Sequence, residues 1–193
     1  MFVLVLTGCA QSSSTIDRQQ QTSPAVAGPE WVEYRSPSHG YALWYPSNWI
    51  LEDADDPAGA RIHIDAPDSG GVFIVSALGD KRITEPGGVQ AVFTDIRDGF
   101  EKDERYSLEA YEDGEEKGGA VAGNYIARGG FTDAGTEYRF KELGTLMRDG
   151  RIFVTTAHVQ RSSTAQYGEI FDEMIGGFDP FGVGGEQPLI TLE

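Results

Sequence analysis

Residues 40–49 read Gly40-Tyr41-Ala42-Leu43-Trp44-Tyr45-Pro46-Ser47-Asn48-Trp49. Aromatic residues favour a pleated, half-buried backbone, and proline cannot donate to a sheet ladder, so 40–46 reads as a short strand stopped at Pro46. Tyr41, Trp44, Tyr45 and Trp49 carry too much apolar surface to leave without a role. They are either core, packed beneath helices, or an aromatic binding patch.

Working outward, Arg61-Ile62-His63-Ile64-Asp65 alternates with period two, the pattern of a half-buried strand. Asp68-Ser69-Gly70-Gly71 is turn chemistry, and Gly71 to Leu78 reads as a more fully buried strand. The period then changes. Val89, Val92, Phe93, Ile96 and Phe100 share one helical face, with Asp95, Arg97, Asp98, Glu101 and Lys102 on the other. Tyr106 to Tyr111 reads as a strand ended by Asp113-Gly114, and Ala120 to Phe131 as a longer one with a bulge at Gly123. Asp133-Ala134-Gly135 turns the chain into Glu137 to Met147, where Tyr138 and Phe140 face one way and Arg139 and Lys141 the other. Asp149-Gly150 predicts a type I′ turn into Arg151 to Val159. Tyr167, Ile170, Phe171, Met174, Ile175 and Phe178 form a second helical stripe, with Ser162 or Ser163 as N-cap and Gly176-Gly177 as the stop. The order β-β-β-α-β-β-β-β-α predicts an α+β fold: a central antiparallel sheet of six or seven strands with helices packed on it in α/β/α layers.

The glycine-aromatic strand, the Tyr45-Pro46 step and Trp49 resemble the opening motif of PsbP-like domains, and the element order from Trp31 to Phe181 is similar to that family. The resemblance implies a PsbP-like α/β/α sandwich that binds other proteins or serves as an accessory subunit. The family has no shared catalytic set, so the resemblance assigns no functional residue.

The chain opens with an apolar run ending Leu6-Thr7-Gly8-Cys9, which resembles the bacterial lipobox. That resemblance implies cleavage before Cys9 and a lipid on its thiol, hence an extracytoplasmic protein anchored to a bacterial membrane. The run is short and no Lys or Arg precedes it, so a start codon further upstream is expected. Residues 10–30 are rich in Ser, Gln and Thr and read as a flexible tether. Residues 31–181 are then the globular domain and 182–193 a loose tail with Gly182, Gly184, Gly185 and Pro188. Fifteen Lys and Arg against 31 Asp and Glu give a net charge of −16, which argues against nucleic acid as a partner. The expected partners are the membrane, through lipid on Cys9, and a protein.

Candidate chemistry is sparse. His39, His63 and His158 have no metal-ligand spacing, although His63 and His158 lie in predicted strands and can meet near Asp65. Glu52-Asp53-Ala54-Asp55-Asp56 and Glu112-Asp113-Gly114-Glu115-Glu116 read as acidic loops. Asp53, Asp55 and Asp56 are weak calcium candidates; position twelve from Asp53 is Ile64, so the EF-hand pattern is absent. No GxSxG nucleophile motif and no phosphate-binding glycine loop is present. The reading is a non-catalytic domain without a cofactor. The alternative is a carrier of a small apolar ligand, with a pocket between helix and sheet near Trp44, Trp49 and Phe93.

Overall fold

The computed structural model describes residues 29–56 and 59–181, with backbone alone over 53–56 and 59–60. The elements in chain order are β1 (Trp31–Ser36), β2 (Tyr41–Pro46), β3 (Ile50–Asp56), β4 (Gly59–Asp65), β5 (Gly71–Gly79), α1 (Gly88–Lys102), β6 (Tyr106–Glu115), β7 (Val121–Asp133), β8 (Thr136–Met147), β9 (Arg151–Gln160), α2 (Thr164–Gly176) and β10 (Asp179–Pro180). Seven strands form one antiparallel sheet in the order β3-β4-β5-β9-β8-β7-β6. The strands β1-β2-β10 form a second, smaller sheet. The architecture is α+β, as the periodicities predict.

Alternation along each strand of the large sheet feeds two cores. On β9, Phe153, Ala157 and Val159 enter one core while Ile152 and Val154 enter the other. α1 covers the second: Phe93 meets Tyr125 edge-on at 6.3 Å, and Phe100 stacks on Phe140 at 5.5 Å. Phe93 is fully buried, a contribution of about 1.5–3 kcal/mol. α2 covers the first, with Tyr167, Phe171, Met174 and Ile175 buried. The small sheet shares that face, where Tyr41 packs on Phe153 and Phe178. The helices are also offset from one another across the sheet. α1 lies over β6 and β7, whereas α2 lies over β9 and against β2.

Several sequence expectations need correcting. The 40–49 stretch supplies β2, which pairs with β1 and β10 and takes no place in the large sheet. The acidic stretch 52–56 is strand: with Ile50 and Leu51 it forms β3, which pairs with β4 along its length. A run of carboxylates suits such an outermost strand, because charge discourages another chain from adding there. The second acidic stretch is also strand as far as Glu115. Asp113-Gly114 pairs with Tyr125 and Asn124 of β7, and Arg97 of α1 binds the Asp113 carboxylate.

The type I′ geometry falls at Ala134-Gly135, where both φ values are positive (47° and 84°), closing β7 onto β8. At Asp149-Gly150 only Gly150 has positive φ (92°), and its N–H donates to Met147 O at 3.0 Å. Asp149 instead accepts from the Arg151 backbone at 3.1 Å and from its Nε at 2.8 Å. A bulge interrupts the β7–β8 register between Val121 and Gly123. Ser163 occupies the N-cap position of α2 without a hydroxyl cap bond.

Candidate functional site

The helices lie on opposite faces, α1 over β6 and β7 and α2 over the central strand β9, and among the described residues each leaves part of its face uncovered. On the α1 side, the uncovered part is built from β3, β4, β5 and the end of β9 that carries His158, since Ile152 and Val154 of β9 belong to the core under α1. Their alternation places Ile50, His63, Asp65, Val72, Ile74, Leu78 and His158 on it, in register from strand to strand. Ile50 is 58% exposed and Leu78 49% exposed. Among the described residues, these are two of the three exposed large hydrophobic side chains, the third being Trp44. Ile50 shares a row with Asp65, Val72 and His158 at one end of this face, and Leu78 stands six residues further along β5 at the other.

Beyond the C-terminal end of α1 this face deepens into a cleft of about 420 Å³, lined by Val72, Ile74, Tyr106, Phe131 and Tyr138, with Arg61, Arg105 and His158 among its polar groups. The aromatic wall is rigid. Phe131 stacks on Tyr138 at 5.0 Å, meets His158 edge-on at 4.9 Å, and lies 5.6 Å from Tyr106. Tyr106 also packs on Phe100 and Phe140, which fixes it against α1. Burial pulls the His158 imidazole down to about 4, helped by the positive charge of Arg61 and by His63. At neutral pH His158 is therefore an uncharged hydrogen-bonding group, and fixed positive charge at the cleft comes from Arg61 and Arg105. Arg105 is ion-paired with Asp103.

Beside the cleft, on the same face, lies a half-buried carboxylate. Glu142 accepts from Tyr125 Oη at 2.7 Å and from Thr156 Oγ1 at 3.0 Å. Burial pushes Glu142 up from its ordinary 4.5, outweighing both hydrogen bonds. Neither Glu142 nor His158 is hydrogen-bonded to a serine or cysteine among the described residues, and no group of three or more His, Cys, Asp or Glu able to hold a metal occurs among them.

The sequence-predicted residues are distributed as follows. Cys9, most of the tether and the tail lie outside the described residues, as do the side chains of Asp53, Asp55 and Asp56. Tyr41 and Trp49 are buried, Tyr45 is half-buried, and Trp44 is 44% exposed. Trp49 packs edge-on against Tyr167 at 5.5 Å and Phe171 at 5.2 Å. The pocket expected near Trp44, Trp49 and Phe93 does not form, because Trp49 and Phe93 belong to different cores on opposite sheet faces. His63 and His158 do share a face but are separated by β5, with Val72 and Ile74 between them. The sequence reading missed Ile50, Leu78 and Phe131 as site residues. The available signal was the shared face of Tyr138 and Phe140, extended across the register to β9 and β5.

No family model and no curated protein matches the sequence. Among solved structures, the chain is similar to the solution structure of cyanobacterial PsbP (CyanoP) from Synechocystis sp. PCC 6803, with a TM-score of 0.58 and 16% identity over 83% of this chain and 99% of that one. A Bacteroides thetaiotaomicron crystal structure aligns at a TM-score of 0.49 and 21% identity, over 81% of this chain and 50% of that one. LpqN of Mycobacterium tuberculosis, described as involved in cell envelope biogenesis, aligns at 0.47 and 8% identity, over 79% and 91%. The strand order, the two helices and the match along the whole of the cyanobacterial chain agree: this protein has the fold of a PsbP-like domain.

Proposed function

We propose that this chain is a non-catalytic accessory domain, outside the cytoplasm and held to a bacterial membrane by lipid on Cys9, that binds a partner protein through the uncovered part of the α1 face. The single observation carrying this reading is the coincidence of Ile50, Leu78 and the aromatic cleft on one sheet face. The lipobox-like Leu6-Thr7-Gly8-Cys9 supports the anchor, and no described helix is long and apolar enough to cross a membrane. Two or more acyl chains make such an anchor lasting, since one binds only marginally.

The test is capture from detergent-solubilised membranes of the native host, using the lipidated protein. A partner retained by the wild type and lost with Ile50→Glu plus Leu78→Glu supports the reading. Equal recovery with both baits removes this face from the interaction. Mass spectrometry of the same material reads the anchor: a diacylated Cys9 at the new N-terminus is expected, and a free thiol on an uncleaved chain overturns it.

One observation favours a second reading, a carrier of a small apolar ligand. The cleft volume of about 420 Å³ lies within the range of small-molecule sites, and His158 and Arg61 supply converging polar groups. Co-purifying small molecules in the organic extract of the native protein would distinguish it.

A further inference from the structure

The uncovered part of the α2 face has a different chemistry. It is formed by β6, β7 and β8 where α2 does not reach. A cleft of about 480 Å³ runs between α2 and these strands, floored by Ala157, Val159 and Phe171. Its wall carries Arg128, Arg139 and Lys141 against a single carboxylate, Asp172. Arg128 and Lys141 stand directly opposite one another across β7 and β8, and Arg139 lies two residues earlier on β8. Such a concentration of cations is unexpected in a chain of net charge −16.

We propose that this cleft docks an acidic segment of a partner protein that inserts one apolar side chain onto the Ala157, Val159 and Phe171 floor. Arg128 is exposed and makes no ion pair with any described residue, so one positive charge is available outright. Arg139 pairs with Glu109, and Lys141 with Asp172 at 2.6 Å; both carboxylates are solvent-accessible, and an incoming carboxylate can share or replace them. Gly168, on the helix wall, leaves room beside the floor: a Cβ there would meet nothing closer than Thr164 Cγ2 at 3.8 Å. The rest of the acidic surface repels an acidic segment, which confines it to this cleft and makes association dependent on salt. The site is separate from the α1-side face, so either proposal can fail alone.

The experiment is fluorescence anisotropy of a labelled peptide of Asp and Glu residues with one central Phe, titrated with the full chain. Binding is expected, weakened at least tenfold by Arg128→Glu, by Asn and Gln in place of the acidic residues, or by Ser in place of the Phe. Gln90→Glu, an exposed position on α1 outside both clefts, leaves it unchanged. Arg128→Gln serves as a second variant with a smaller loss. Absence of binding, indifference to Arg128→Glu, or equal binding of the neutral peptide overturns the proposal.

Discussion

The ring of Tyr125 lies across the bare backbone of Gly144, close enough that any Cβ at 144 would overlap it. From there its hydroxyl reaches Glu142 Oε1 at 2.7 Å. Gly144→Ala forces the ring off this line, and overpacking of this kind costs about 1–3 kcal/mol. Tyr125→Phe keeps the ring and removes one donor from a half-buried carboxylate, a loss of about 1 kcal/mol. Urea melts of both variants check this; a Gly144→Ala protein as stable as wild type contradicts the geometry.

Glu142 sets one pH dependence. Unfolded, it ionises around its ordinary 4.5; folded, burial holds the proton to higher pH. The folded state therefore binds more protons as pH rises from 4.5, and stability falls across that window before levelling. Glu142→Gln keeps an acceptor oxygen for one of the two hydroxyls, turns an NH2 donor toward the other, and has no such loss. Its stability should gain on wild type as pH rises above 4.5, measured by melts at successive pH values. A gain by the wild type instead would show that the carboxylate is favoured in its charged form.

His158 works in the opposite direction. Its folded value is about 4 against an ordinary 6.5, so between these the unfolded chain binds the extra proton. Stability contributed by neutral His158 is complete above pH 6.5 and drains away as pH falls toward 4. The variant His158→Gln should flatten the stability profile between those limits. An unchanged slope would mean another group carries it.

The two tryptophans of the 40–49 stretch differ in burial. Trp49 is 6% exposed and wedged against α2, so Trp49→Ala should cost about 3–5 kcal/mol. Trp44 is 44% exposed on the small sheet, and Trp44→Ser should cost under about 1 kcal/mol. Denaturant midpoints at a constant slope compare them directly.

The helices were legible in the sequence because Val92 and Phe93, or Phe171 and Met174, recur at the spacing of a single buried stripe. Strand β3 was not: Asp53, Asp55 and Asp56 carry loop chemistry, and it is pairing with β4 that makes them strand. The type I′ geometry falls at Ala134-Gly135 and not at Asp149-Gly150. Asp149 is engaged by Arg151, while Ala134 takes positive φ in the two-residue loop that joins the paired Asp133 and Thr136. The candidate faces were legible least of all. Whether Ile50 and Leu78 are covered depends on where α1 lands across the sheet, and no local pattern encodes that position.

The offset placement of α1 and α2 has a mechanical consequence. Occupants of the two uncovered regions would approach from opposite sides and be displaced sideways, so neither would obstruct the other. On the two proposals made above, such a domain acts as a rivet, gripping an apolar surface in front and an acidic one behind, with the strands between them as its shank.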